Sequence, residues 1–294
     1  MKVLNPSSNF LGITEPELYK YKACKCIIQQ LPYEYTSSYK LGSSRGPSAI
    51  LQNSHFVEYY DPEIDTEAYK QCGIAAIREV DFEGLIDEDA MHKIYLETKK
   101  HLENEKFTVS LGAEHTITYG VFKAFKEKWD DIAILQIDAH SDLREEYEGN
   151  KWSHASVMAR INELNPNIFQ VGIRAQSAEE ASLIKASRNI QTWYAHNIWD
   201  NEEWMDQLIS KLPKRLYITI DTDGFNPSIC PSVGTPEPGG LLWYSTLKFL
   251  RKVFLKCDVK GFDIVELNPK SEDDNTAYTM AQLCYKLIGY KYCL

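Results

Sequence analysis

A chain of 294 residues with 44% hydrophobic and 25% charged side chains can bury a large core, and its net charge of −10 argues against nucleic acid or an anionic membrane as partner. There is no apolar run of about 18 residues to span a bilayer, and residues 1–10 are too polar for a signal peptide. The seven cysteines, odd in number and without a C-x-x-C pair, are expected to be reduced thiols of a cytoplasmic protein.

In chain order, the first apolar strand pattern covers residues 26–31. A loop rich in Ser, Tyr and Gly follows over 33–47, leading into a helix that starts near Pro47. Strand patterns recur at 73–77, 107–111, 132–137, 168–171, 190–193, 216–220 and 259–264. Helical spacing of apolar residues covers 89–103, 116–129, 177–186, 200–212, 245–256 and 275–290, several of these opened by Ser, Thr, Asp or Asn. Strands that alternate with helices predict a mainly parallel sheet of about eight strands covered on both faces. Residues 1–294 are therefore expected to form one α/β domain, a three-layer α/β/α sandwich, with no internal repeat or long linker.

Three of these strands empty into polar clusters. The strand at 107–111 runs on to His115, the strand at 132–137 opens into Asp138, His140 and Asp142, and the strand at 216–220 ends in Asp221 and Asp223. In a D-x-H-x-D or D-x-D turn off an extended strand, alternate side chains point the same way. Taken singly, each Asp is readily explained as a helix cap. Taken together, they would crowd like charges at strand ends, a cost that needs a compensating cation. Four aspartates and two histidines exceed the needs of one metal and suit two divalent ions. The absence of cysteine from the set favours Mn²⁺ or Fe²⁺ over Zn²⁺ and Ni²⁺, with Mn²⁺ the first expectation.

On these motifs the chain resembles the ureohydrolases, which include arginases, agmatinases and guanidino-acid hydrolases. Gly112-Ala113-Glu114-His115-Thr116 is similar to the family's G-G-[DE]-H-S, Asp138-Ala139-His140-Ser141-Asp142 matches D-A-H-x-D, and Asp221-Thr222-Asp223-Gly224-Phe225-Asn226-Pro227 resembles D-x-D-x-x-D-P. The segment Gly234-Thr235-Pro236-Glu237-Pro238-Gly239-Gly240-Leu241 resembles the corresponding stretch of agmatinases. Two positions depart from the pattern. Ala113 replaces a glycine, and Asn226 stands where the family usually has a third aspartate, expected to act by hydrogen-bonding a ligand.

The resemblance implies that Asp138 and Asp221 bridge two metal ions, that His115 and Asp142 complete one site and His140 and Asp223 the other, and that a bridging hydroxide is the nucleophile. It further implies that Glu266, at the end of another strand, binds the guanidinium, a planar cation that suits a carboxylate. His154 is expected to be a proton shuttle titrating near neutral pH, Asp142 to carry a proton to the leaving amine, and Thr235 to help hold the guanidinium or the intermediate. A homo-oligomer, trimer or hexamer, is implied as well. Cys230 reads as a small buried hydrophobe.

The loop at 143–153 carries Glu145, Glu146 and Glu148. Within a Debye length of about 8–10 Å these would repel a substrate carboxylate and attract a second ammonium. With the Tyr147-Glu148-Gly149-Asn150 pattern, which also resembles agmatinases, this favours agmatine, hydrolysed to putrescine and urea. The alternatives are a guanidino-acid hydrolase or an arginase, and a metal-binding homologue without hydrolysis for which Asn226 is the sole sign.

Overall fold

The computed structural model describes residues 2–271, 273 and 275–294. Eight strands, β1 (Cys26–Leu31), β2 (Ile74–Ala76), β3 (Phe107–Gly112), β4 (Ala133–Ile137), β5 (Ile168–Ile173), β6 (Ile190–Tyr194), β7 (Arg215–Asp221) and β8 (Asp258–Val265), form one sheet. All neighbours pair in parallel, in the order β2-β1-β3-β8-β7-β4-β5-β6. The last two strands of the chain thus occupy the middle of the sheet. Register is level across that middle: Ile264 lies opposite both Leu111 and Ile220, and Ile220 opposite Ile137. Four strand ends therefore finish side by side.

Alternation along each strand feeds two cores. On β4, Leu135 and Ile137 join one cluster while Ile134 joins the other. The first face is covered by Gly46–Ser54, Glu203–Lys211, Trp243–Lys256 and Asn275–Cys293, through residues such as Leu51, Leu208, Leu250 and Leu287. Asp87–Glu103, Ile117–Lys128, Val157–Asn162 and Ala178–Ala186 cover the second through Ile94, Phe122, Met158 and Ile184. The result is the expected arrangement of helices on both faces of a parallel sheet. Helix starts follow local chemistry: Ser177 and Glu180 make a reciprocal capping box ahead of Ala178, and Asp87, Glu88 and Asp89 sit in the first turn of their helix. Two features escaped the sequence pattern, the short hairpin of Tyr60–Asp61 with Thr66–Glu67 and the single-turn helices such as Tyr69–Cys72, which are too brief to display a period.

All seven cysteines are unpaired and six are buried. Burial pushes the Cys230 thiol up, in keeping with its role as a small hydrophobe. No helix among the described residues is long and apolar enough to cross a membrane.

Close packing across the middle strands makes one position intolerant of even a methyl group. A Cβ on Gly261 would lie 2.5 Å from the Phe125 ring and 2.7 Å from the Thr108 carbonyl oxygen. Gly261→Ala is expected to destabilise the fold by about 1–3 kcal/mol, as overpacking does. Urea unfolding would measure this, and an unchanged midpoint would contradict the packing described.

Candidate metal centre

The side-by-side strand ends bring together residues far apart in the chain. His115 follows β3, Asp138, His140 and Asp142 follow β4, Asp221 closes β7 and Asp223 lies in the turn after it. All but His140 are buried, and His140 is 27% exposed. His115 Nδ1 lies 3.1 Å from Asp138 Oδ2, 3.1 Å from Asp142 Oδ2 and 3.3 Å from Asp221 Oδ2. His140 Nδ1 lies 3.1 Å from Asp223 Oδ2 and 3.7 Å from Asp138 Oδ1. Two groups could thus hold a divalent ion, His115 with Asp138 and Asp142, and His140 with Asp138 and Asp223, sharing Asp138. Asp221 reaches the first through His115.

Hydrogen bonding shows which atoms are left for a cation. The Thr219 hydroxyl donates to Asp263 Oδ1 at 2.5 Å, so its oxygen accepts from His115 Nε2–H at 2.9 Å. This leaves Nδ1 with its lone pair toward three carboxylate oxygens and no hydrogen-bond partner, a buried orphan. A lone pair facing anionic oxygens calls for a cation between them, and the donor set fits a pair of divalent ions. Without such ions, His115 is driven well above its ordinary pKa: burial lowers it, but Asp138, Asp142 and Asp221 outweigh that. His140 is raised to about 11, Asp223 overcoming burial. Asp142 is pushed up to about 7, by burial first and then by Asp138. Burial, Asp223 and Asp138 hold Asp221 well above the carboxylate range.

Backbone strain marks two positions. Asp142 and Glu266 adopt left-handed conformations, with φ of 54° and 62°, which non-glycine residues rarely hold. Asp142 is locked there on both sides. Its carbonyl accepts the Met158 and Ala159 N–H groups, and the next amide, Leu143 N–H, donates to buried Glu180 at 2.9 Å. Glu266 Oε1 accepts His115 N–H at 2.7 Å, the only hydrogen bond of its carboxyl group to a described residue, and burial and Glu114 push this carboxyl well above its usual range.

A cavity of about 450 Å³ opens over these groups, lined by Asp142, His154, Thr235, Glu237 and Glu266 among others. Thr235 Oγ1 stands 3.4 Å from Asp223 Oδ2. His154 lies on the cavity wall, and its surroundings oppose the expected titration near neutrality. Burial, then the positive charge of His140 and His115, lowers it to about 4, so its imidazole is neutral at rest.

Two further expectations need correction. Glu145, Glu146 and Glu148 do not line the cavity, and Glu145 pairs instead with Arg160 at 2.8 Å. The loop turns Arg144 and Tyr147 inward, the guanidinium 5.3 Å from the ring centroid, because Tyr147 and Asn150 close a tight turn through Glu148 and Gly149. Asn226 hydrogen-bonds no candidate ligand. Its Oδ1 accepts Ser228 N–H at 2.9 Å in a local turn, and Asn226 is not among the residues that line the cavity.

Several residues that hold the site carried no assigned role in the sequence. Arg174 donates to the carbonyls of Asp223, Glu237, Pro238 and Gly172, stitching the turn after β7 to the 237–240 segment. Buried Glu114 accepts N–H bonds from Tyr35, Thr36 and Ser37 and hydroxyl bonds from Thr36 and Thr116, donors that oppose the upward pull of burial on its pKa. Asp263, bonded by Thr118, Tyr217 and Thr219, was detectable as a lone acid inside an apolar strand. Thr36 and Arg174 left no such sign.

Paired imidazole and carboxylate groups over the carboxyl edge of a parallel sheet are the mark of a divalent-metal hydrolase. The sequence pattern of the Arginase family matches residues 24–289. The N(1)-aminopropylagmatine ureohydrolase of a Synechocystis species is 37% identical over 92% of this chain and 90% of its own. The agmatinase of Pyrococcus horikoshii is 34% identical over 90% of each. The crystal structure of the agmatine ureohydrolase of Thermoplasma volcanium superposes with a TM-score of 0.80 at 27% identity, covering 99% of this chain and 94% of that one. The chain belongs to the arginase family and is a ureohydrolase of the agmatinase type.

Metal uptake should depend on pH. Asp142 holds a proton up to about pH 7 in the metal-free fold, whereas an unperturbed carboxyl has a pKa of 3.8. The folded state therefore binds the proton that the unfolded chain releases, and the stability that Asp142 contributes to the metal-free protein is lost as pH rises through that interval. A cation must displace this proton, so apparent affinity should climb by about tenfold per pH unit below neutrality for each proton released. Titration with Mn²⁺ across this range checks it, and an affinity independent of pH would remove the argument.

Proposed function

We propose that this protein releases urea from guanidino compounds whose tail ends in an ammonium group, agmatine giving putrescine and urea. His115, Asp138, Asp142 and Asp221 would hold one divalent cation and Asp138, His140, Asp221 and Asp223 the other, with Mn²⁺ the expected metal. When bound, the cations supply a water nucleophile of lowered pKa and offset the negative charge that develops on attack. The observation that carries the reading is the orphaned, buried His115 Nδ1 among three carboxylates 3.1–3.3 Å away, two of which, Asp142 and Asp221, line the cavity that also contains Glu266.

The roles of the chain's own groups follow from their surroundings. Glu266 holds the guanidinium through charge-assisted hydrogen bonds. Its carboxyl is raised by burial beside Glu114, and a bound cation would restore its charge. Its bond to His115 N–H fixes the Glu266 carboxylate relative to the metal-facing imidazole. Thr235, next to Asp223 and also lining the cavity, orients the guanidinium nitrogens. Asp142 takes a proton from the attacking water and delivers it to the leaving amine, and His154, neutral at rest, exchanges protons between the cavity and solvent.

The preference for a tail without a carboxylate rests on the cavity wall rather than on the 145–148 glutamates. Glu180, Glu237 and Glu266 line it, Arg174 is committed to backbone carbonyls, and Arg144 lies 3.8 Å from Glu180. A second reading, N(1)-aminopropylagmatine, is favoured by relatives of that name from Synechocystis and Thermus thermophilus, at 37% and 35% identity. The arrangement is expected to work as a homo-oligomer in the cytoplasm.

Urea release from Mn²⁺-loaded protein given agmatine, N(1)-aminopropylagmatine, arginine and 4-guanidinobutyrate in parallel tests this directly. Turnover of the two carboxylate-free compounds is expected, their ratio deciding between the readings, whereas preference for arginine or the guanidino acid would overturn the assignment of the wall. Asp142→Asn should weaken metal binding and cut turnover by orders of magnitude. Glu266→Ala should abolish productive substrate binding while sparing metal content, and metal loss in that variant would show its role to be different.

A further inference from the structure

The wall residue His154 makes contacts that the metal-facing groups do not explain. We infer that Thr36 and Glu114 are positioning residues that hold the His154 ring with its proton on Nδ1, leaving Nε2 as the free basic nitrogen of the cavity wall. The inference rests on the reading of His154 as a proton carrier.

It follows from counting the valences of one hydroxyl. A threonine Oγ has one proton to give and two lone pairs to receive. Thr36 Oγ1 lies 2.7 Å from Glu114 Oε2, 3.1 Å from the His154 backbone nitrogen and 3.1 Å from His154 Nδ1. Glu114 cannot be the donor. Its Oε1 already receives the Tyr35, Thr36 and Ser37 N–H groups and its Oε2 the Thr116 hydroxyl, an environment that only an accepting carboxylate satisfies. The Thr36 proton therefore points to Glu114, one lone pair takes the His154 backbone N–H, and the other can only accept from Nδ1–H. Ser153 Oγ, which accepts Ala155 N–H as the cap of the following turn, is farther from the same nitrogen, at 3.4 Å, so the shorter contact to Thr36 Oγ1 sets the direction at Nδ1. The Tyr147 ring meets the imidazole edge-on at 5.8 Å and fixes its tilt.

The same three-part device occurs once more in the site with the nitrogens exchanged. Asp263 takes the proton of Thr219, which accepts from His115 Nε2–H and leaves Nδ1 toward the carboxylates. A buried acid thus acts through a threonine to set which nitrogen of each histidine is available, Nδ1 of His115 toward the carboxylates and Nε2 of His154 at the cavity wall. Because Glu114 also binds the backbone of residues 35–37, the tautomer of His154 depends on that loop being seated.

The test uses Thr36→Val, which keeps the shape and removes the hydroxyl, Thr36→Ser, which restores it, and each in a His154→Ala background. With Mn²⁺-loaded enzyme and agmatine, Thr36→Val should lower kcat by about tenfold or more, within the range that positioned proton transfer contributes, with KM and metal content little changed. Thr36→Ser should recover most of the loss, and Thr36→Val should cost nothing further once His154 is gone. Ring-¹⁵N spectra of histidine-labelled, Zn²⁺-loaded protein should show His154 protonated on Nδ1 in the wild type and a mixture of tautomers in Thr36→Val. Wild-type activity in Thr36→Val, an equal loss with and without His154, or an Nε2–H tautomer in the wild type would each overturn the inference. If the wild type released no urea from any guanidino compound, the proton-carrier reading would fail on its own, and the spectra would still decide the tautomer.

Discussion

Four aspartates packed at the carboxyl ends of neighbouring strands repel one another, and the arrangement of the site answers that repulsion. In water such a set would stay apart, but here burial raises Asp142 and Asp221 and leaves His115 Nδ1 facing anionic oxygens. A fold stable around this cluster needs positive charge in the gap, whether protons on the imidazoles or divalent cations. Because the strand ends are part of a close-packed parallel sheet, the carboxylates cannot relax away from each other. Folding thereby gathers groups that could hold divalent cations.

Holding that geometry calls for a layer of buried polar groups behind the facing side chains. Gln136 donates to Asp138 and Ala139 N–H to Asp223, while Asp263 and Glu180 act through Thr219 and the Leu143 amide. Each bond fixes an oxygen or a nitrogen that could otherwise rotate, which is the usual support of metal-facing ligands. The left-handed backbone at Asp142 and Glu266 belongs to the same logic. Both residues leave a strand and turn sharply enough to aim a side chain back over the sheet edge, and both are held by bonds from neighbouring segments.

Farther out, the wall is built from loops. The 143–153 loop contributes an aromatic ring and a guanidinium to the cavity while its acids face solvent or Arg160. Charge counted along a loop therefore does not tell which side chains reach the cavity, since a two-residue turn decides which of them point in. Glu237, anchored by the bond of its carbonyl to Arg174, is one of the acids that line the cavity.

The sequence by itself determined the alternation of strands and helices, the three polar clusters and their likeness to the ureohydrolases, because periodicity and D-x-H-x-D spacing are local properties of the chain. It placed His115, Asp138, His140, Asp142, Asp221, Asp223 and Glu266 at strand ends, where they are found. Only the tertiary structure decided that β7 and β8 enter the middle of the sheet and draw those ends together, that the three glutamates of the 145–148 turn face away, and that Thr36, Glu114, Arg174, Glu180 and Asp263 hold the groups that face the cavity. The reason is physical: strand order, loop direction and the partner of a buried donor depend on contacts between residues up to more than a hundred positions apart, such as His115 and Glu266. No local pattern records them.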